Sequence, residues 1–177
     1  RAYRHSLDHV TVYEGDARFT GHKRIVVDDE EEITAERIVL AAGARPMIPD
    51  IPGLAEVGFH TSDTIMRIDA VPQRLLVLGG GFIACELGHV FDSFGSDVQL
   101  IIRGMTMLRA EDEEIALRYT ELAQRRFTVH AHTQIVRASR NAAGEIELEL
   151  NTNGRHHTVV GDMLLVATGR IPNGAEL

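Results

Sequence analysis

The stretch LLVLGGGFIACELGHVF, residues 75–91, decides how this chain is read. Four apolar residues run into three glycines, and then Ile83, Leu87, Val90, Phe91 and Phe94 recur at helical spacing. The pattern predicts a short buried strand, a tight turn and an amphipathic helix closed by Gly95. Gly79-Gly80-Gly81-Phe82-Ile83-Ala84 fits G-x-G-x-x-A. In that motif the first glycine permits the turn, and the second lets backbone approach a pyrophosphate. The small last residue lets helix and strand pack closely. The free N–H groups at the helix start then favour phosphate. A glycine pattern alone is a weak signal. Here it follows a strand, opens a helix and leads to a second strand, DVQLII at 97–102, so a dinucleotide site is expected.

The end of that second strand selects the dinucleotide. About twenty residues past the glycines, an NAD site places an acidic residue on the ribose 2′-OH. This chain has Ile101-Ile102-Arg103, and Arg109 follows six residues later in RGMTMLR. A carboxylate repels a 2′-phosphate, whereas a guanidinium binds it through paired, charge-assisted hydrogen bonds. NADPH is therefore the expected cofactor, against the plainer reading of two surface arginines.

Outward from this core, VTVYEG (10–15), two runs in ARFTGHKRIVVDD (17–29) and EEITAERIVLAAG (31–43) read as strands of a meander. The acidic run 28–32 lacks the ligand spacing and central glycine of a calcium loop, and reads as a solvated hairpin turn. RPMIPDIPG (45–53) holds three of the five prolines and reads as a connector. Ser62 or Asp63 is placed to cap a short helix ending before Pro72. A second helix is expected over 111–127, with acids in its first turn and Arg125 and Arg126 in its last. Strands follow at 129–137, 145–150, 157–160 and 163–169, with turns at 141–144 and 153–154. The fold class is α/β: a Rossmann-like domain with a parallel sheet plus a small β-meander.

The bulk properties narrow the function classes. The 177 residues carry a net charge of −8, which argues against a nucleic-acid or anionic-membrane surface. No apolar run approaches the length of a membrane span. One cysteine, Cys85, forms no internal disulfide, which fits a reducing cytoplasm. The nine histidines supply no metal site by pattern: His130 and His132 share one face of an expected strand, but no C-x-x-C accompanies them. The chain starts at Arg1 and reads as a piece of a longer protein.

GGGFIACE with the following IIRGMTMLR, LAAGARPMIPDIPG upstream and LLVATGRIPN downstream resemble one family. It is that of the flavin-dependent pyridine nucleotide–disulfide oxidoreductases, of the glutathione reductase type. The resemblance covers nearly the whole chain and implies an NAD(P)H-binding domain flanked by pieces of an FAD-binding domain. Residues 1–44 would be a meander of the FAD domain, with Ala41, Ala42 and Gly43 near the flavin nucleotide. Residues 45–168 would be the crossover and NAD(P)H domain, and 169–177 the return. Gly79, Gly80, Gly81, Phe82 and Ile83 would form the phosphate turn. Glu86 would reach toward the flavin–nicotinamide contact, Arg103 and Arg109 would hold the 2′-phosphate, and Gly169 and Arg170 would lie near the nicotinamide half.

The implied cofactors are NADPH and, in the intact protein, FAD. The implied substrate is a low-molecular-weight disulfide, and the implied assembly is a homodimer formed through a C-terminal domain. No catalytic residue is expected in this segment. The redox C-x-x-x-x-C, the FAD glycine motif and a C-terminal His-Glu pair would precede Arg1 or follow Leu177. Phe82 stands where glutathione reductases carry a tyrosine lid; its ring can cover or stack but not hydrogen-bond. Cys85 reads as a packed helix residue. Three alternatives belong beside this reading: another member, such as lipoamide dehydrogenase or mercuric reductase, a non-catalytic NADPH-binding module, and a methyltransferase. Arg103 speaks against the last, since such folds usually place an acidic residue there.

Overall fold

The computed structural model describes residues 6–175 and 177. The first five residues of the expected 1–44 segment and Glu176 of the expected 169–177 segment lie outside the described residues. The chain divides into two compact units, Arg1–Arg45 with Pro172–Leu177, and Pro46–Ile171. Among the described residues no helix is long and apolar enough to cross a membrane.

In the first unit, β1 (Ala17–Gly21), β2 (Arg24–Val27) and β3 (Glu31–Thr34) form an antiparallel sheet in that order. Phe19 pairs with Ile25, and Ile25 with Ile33. Asp28 and Asp29 turn the chain with φ of 49° and 59°, a conformation that Asp tolerates better than most residues. Arg18 pairs with Asp29 and Arg24 with Glu32, so the acidic run is a solvated hairpin. The meander uses both runs expected within 17–29 and the start of the one expected over 31–43, and it lacks the strand expected at 10–15. Residues 10–15 form none, and Val10 and Tyr13 are exposed. The third strand stops at Thr34, leaving Val39 and Leu40 exposed rather than paired. β-branched residues suit a pleated surface, but a strand exists only where a partner edge accepts its hydrogen bonds.

The second unit begins and ends near β4 (Ala44–Pro46) and β12 (Arg170–Pro172), where the chain passes from one unit to the other. It contains β5 (Arg74–Leu78), β6 (Asp97–Ile101), β7 (Thr128–His130) and β11 (Met163–Val166). These strands form a parallel sheet in the order β11-β5-β6-β7. An antiparallel sheet of β8 (Thr133–Arg140), β9 (Ile146–Thr152) and β10 (Arg155–Gly161) makes a second layer.

Leu75 to Leu78 are 0–2% exposed, and each contributes roughly 2 kcal/mol of apolar burial. Successive side chains of a strand point to opposite faces. Leu75 and Val77 accordingly join a core with Phe91, Val98 and Leu100, while Leu76 and Leu78 join one with Leu148, Leu150 and Leu164. A parallel strand buried on both faces reads as an unbroken apolar run for this reason.

The helix α2 (Phe82–Ser93), which follows a four-residue turn of helix α1 (Leu54–Val57), buries Ala84, Cys85, Gly88 and Phe91. Three of these four are small, and Phe91 is the one large side chain among them. Ile83 and Leu87 are only partly buried, and Phe94 is exposed. Close approach to the sheet explains this: a Cβ on Gly88 would already touch Val98 and Leu100. Gly95, at φ 95°, ends the helix as expected.

Helix α3 runs over Glu113–Ala123, shorter than 111–127. Asp112 caps it, accepting from the N–H groups of Glu114 and Ile115 at 3.0 and 3.3 Å. Arg125 and Arg126 lie beyond its end, and Arg126 binds Asp92 and the His89 ring instead. The expected strand 129–137 is broken at His132, whose φ is 51°. His130 and His132 therefore do not share a strand face. His130 instead faces His157, with ring centroids 5.6 Å apart.

The candidate dinucleotide cleft

At the C-terminal edge of β5 the chain turns through Gly79, Gly80 and Gly81 into α2. Gly79 has φ 120°, and a Cβ there would stand 2.2 Å from the Ala167 carbonyl oxygen. Only glycine fits that conformation and that gap. A Cβ on Gly80 would press on Ile102 at 2.9 Å. Gly81, by contrast, would place a Cβ in open space. It is the N-cap of α2 and gives that helix no side-chain cap, so the first-turn N–H groups keep their donor capacity.

These glycines line a cleft of about 670 Å³, within the size range of small-molecule sites. Phe82, Ile83, Arg103, Arg109, Gly169 and Arg170 share the lining. The structure thus brings together nine of the thirteen residues singled out from the sequence. Glu86 is exposed on α2 and is not among the lining residues. Ala41, Ala42 and Gly43 belong to the first unit, where Asn173 donates from its backbone to the Gly43 carbonyl (3.0 Å) and from its amide to that of Ala42 (3.2 Å).

The two cations of the 2′-phosphate reading, Arg103 and Arg109, are both exposed and open on the cleft. No ion pair involves either among the described residues, in a chain rich in carboxylates. Asp50 and Glu111 also line the cleft without pairing with them. Arg170 is held differently: its guanidinium donates to Ser62 Oγ (3.0 Å) and to Asp63 (3.2 Å). Ser62 and Asp63 therefore bind Arg170 where the sequence suggested helix caps. The nearby 3-10 turn, Ile65–Arg67, has Thr64 at its start and no side-chain cap.

Sequence spacing gave no sign of Asp50, Thr133, Gln134 or Thr168 in the lining. They reach it through crossovers of many residues, and Thr168 Oγ1 donates to the Met47 carbonyl at 2.8 Å. Behind the turn lies Cys85, 6% exposed, with its thiol pushed up by burial. The Tyr119 hydroxyl lies against it and is pushed up to about 12, mainly by burial and then by its hydrogen bond to Cys85. Among the described residues no group of three or more His, Cys, Asp or Glu side chains is placed to hold a metal ion.

Glycine turn, parallel strands and basic strand end together define a class, and comparison with known proteins gives it a name. The chain belongs to the pyridine nucleotide-disulphide oxidoreductase family, whose model matches residues 2–177. It is 39% identical, over 97% of its length, to mycothione reductase from Mycobacterium tuberculosis, of which it covers 38%. It is 34% identical to mercuric reductase from Staphylococcus aureus, covering 92% of this chain and 30% of that one. In three dimensions it is similar to the HOCl-induced flavoprotein disulfide reductase RclA from Escherichia coli, with a TM-score of 0.76, 29% identity and coverage of 94% of this chain and 38% of that chain. The chain thus spans under two fifths of the length of these relatives.

Proposed function

We propose that the cleft of the second unit binds NADPH, and that the chain is the pyridine-nucleotide segment of an FAD-dependent disulfide reductase. The residues present suit the cofactor. Gly81 leaves room for a pyrophosphate against backbone, and the uncapped start of α2 offers it N–H donors. Arg103 and Arg109 supply positive charge beyond the end of β6, where a 2′-phosphate distinguishes NADPH from NADH. This pair of cations, in no ion pair among the described residues, carries the reading.

When bound, NADPH supplies the hydride that reaches FAD and, through a cysteine pair, reduces a disulfide. The segment contributes binding and orientation rather than chemistry. Its one thiol is buried and cannot cycle as a pair. On this reading Ala41, Ala42 and Gly43 face the flavin nucleotide, Glu86 and the Gly169-Arg170 step serve the nicotinamide half, and Phe82, 61% exposed at the cleft, covers it. The domain limits that follow are 1–44, 45–168 and 169–177. The substrate favoured is a low-molecular-weight disulfide such as mycothiol disulfide, on the likeness to mycothione reductase.

Titration calorimetry of the chain with NADPH and NADH tests the proposal. Tighter binding of NADPH is expected, and equal affinities remove the arginine argument.

A further inference from the structure

We propose that Thr120, on α3 and outside the cleft, is a positioning residue for dinucleotide selectivity. Its hydroxyl holds the backbone of the arginine loop so that Arg103 and Arg109 face one phosphate. The inference rests on the NADPH reading above.

The loop from Arg103 to Arg109 has to present two side chains, six residues apart, to the same cleft. Beyond the local turn in which Glu111 donates to the Leu108 carbonyl, three contacts among the described residues fasten its backbone to distant parts of the chain. The Gly104 carbonyl accepts from the His132 N–H at 3.0 Å. The Leu108 N–H donates to the Gly80 carbonyl at 2.6 Å, tying the loop to the glycine turn. Between them, the Met107 N–H donates to Thr120 Oγ1 at 2.9 Å.

That third contact is the one a side chain decides. Met107 is fully buried and Thr120 is 6% exposed, so no water can replace the acceptor. Thr120 Oγ1 in turn donates to the Ala116 carbonyl at 2.7 Å, which leaves its lone pairs for Met107. Leu108, the next residue, has φ 52°, a left-handed conformation that a leucine keeps only where its surroundings enforce it. It stands immediately before Arg109. The direction of that guanidinium therefore depends on a strained residue held from both sides, by Thr120 through Met107 and by Gly80. Thr120 does not line the cleft, so its influence on a ligand has to pass through the loop.

The test is calorimetry on the full chain with NADPH, NADH and 2′,5′-ADP, which carries the extra phosphate without nicotinamide. Thr120→Val keeps the shape and removes the acceptor. It is expected to weaken NADPH and 2′,5′-ADP about tenfold while NADH stays within about twofold. Thr120→Ser, which keeps the hydroxyl, restores the ratio. An unchanged NADPH-to-NADH ratio in Thr120→Val overturns the proposal, whether both affinities stay or both fall. So does failure of the serine variant to restore it. Should the valine variant not fold, Thr120→Cys offers a weaker acceptor of similar size, and an intermediate ratio is expected; a wild-type ratio there overturns the proposal. Arg103→Ala and Arg109→Ala separate the two levels. If they leave the ratio unchanged, the phosphate reading itself falls. If they collapse it and the Thr120 variants do not, that reading stands and the positioning role falls.

Discussion

Gly79 and Ala167 meet so closely that a Cβ on the glycine would stand 2.2 Å from the Ala167 carbonyl oxygen. Gly81, two residues on, faces nothing within 4 Å. The same motif therefore contains a glycine that packing requires and one whose Cβ position is open, the one proposed to face the pyrophosphate. Gly79→Ala is expected to destabilise the chain by roughly 3 kcal/mol or more, through both the clash and φ 120°. Gly81→Ala keeps its stability and weakens NADPH about tenfold or more, because the methyl occupies the pyrophosphate's approach. Urea denaturation and calorimetry on both variants check this; equal stability losses would refute the division.

Charge reversal at the strand end should reverse the cofactor preference. Arg103→Glu replaces the cation proposed to hold the 2′-phosphate by a carboxylate able to accept from a ribose hydroxyl. Competition between NADPH and NADH is the measurement. Retained NADPH selectivity would mean that another group reads the phosphate.

Acid should weaken the fold partly through His130. Burial, and then the neighbouring His157, hold its pKa below the ordinary value. Its unfolded form titrates near 6.5, so below that pH the unfolded state binds more protons than the folded one. The contribution is fully present above about pH 6.5. It declines as pH falls from there through the lower folded value. His130→Gln, which can still reach Gln99, should lose less stability than wild type between about pH 7.5 and 5.5. Parallel denaturation curves that shift equally in both proteins would contradict this.

Cys85 is expected to be inert while the chain is folded. Burial raises its pKa and denies access, and the thiolate is the reactive form. Alkylation by iodoacetamide in native buffer should be much slower than after denaturation, and Cys85→Ala should still bind NADPH. Labelling at the rate of a small free thiol would show that the helix face is open.

The glycine motif was legible because its local requirements are steric. A tight strand-to-helix turn needs Gly79, and the apolar run ahead of it needs burial on both faces. The turn at Asn153-Gly154 was legible for a similar reason, with both residues at positive φ. Less could be read where pairing decides. Residues 10–15 and 35–43 have strand-like composition, yet the described structure gives them no ladder. The composition of 129–137 suits one strand, but the chain bends at His132 so that β7 ends the parallel sheet and β8 opens the other layer. The α2 stripe misled in its detail, since close packing on β6 rewards Ala84, Cys85 and Gly88 over larger neighbours.

By itself, the order of residues determined the strand–turn–helix unit, its small Ala84 and the basic character of the following strand end, all of which depend on neighbours close along the chain. Only tertiary structure decided that Arg103 and Arg109 open on one cleft, that Asp63 engages Arg170, and that the Thr120 hydroxyl reaches Met107. Those relations join atoms on separate elements. Their geometry is set by how helices pack on the sheet, which no local pattern encodes.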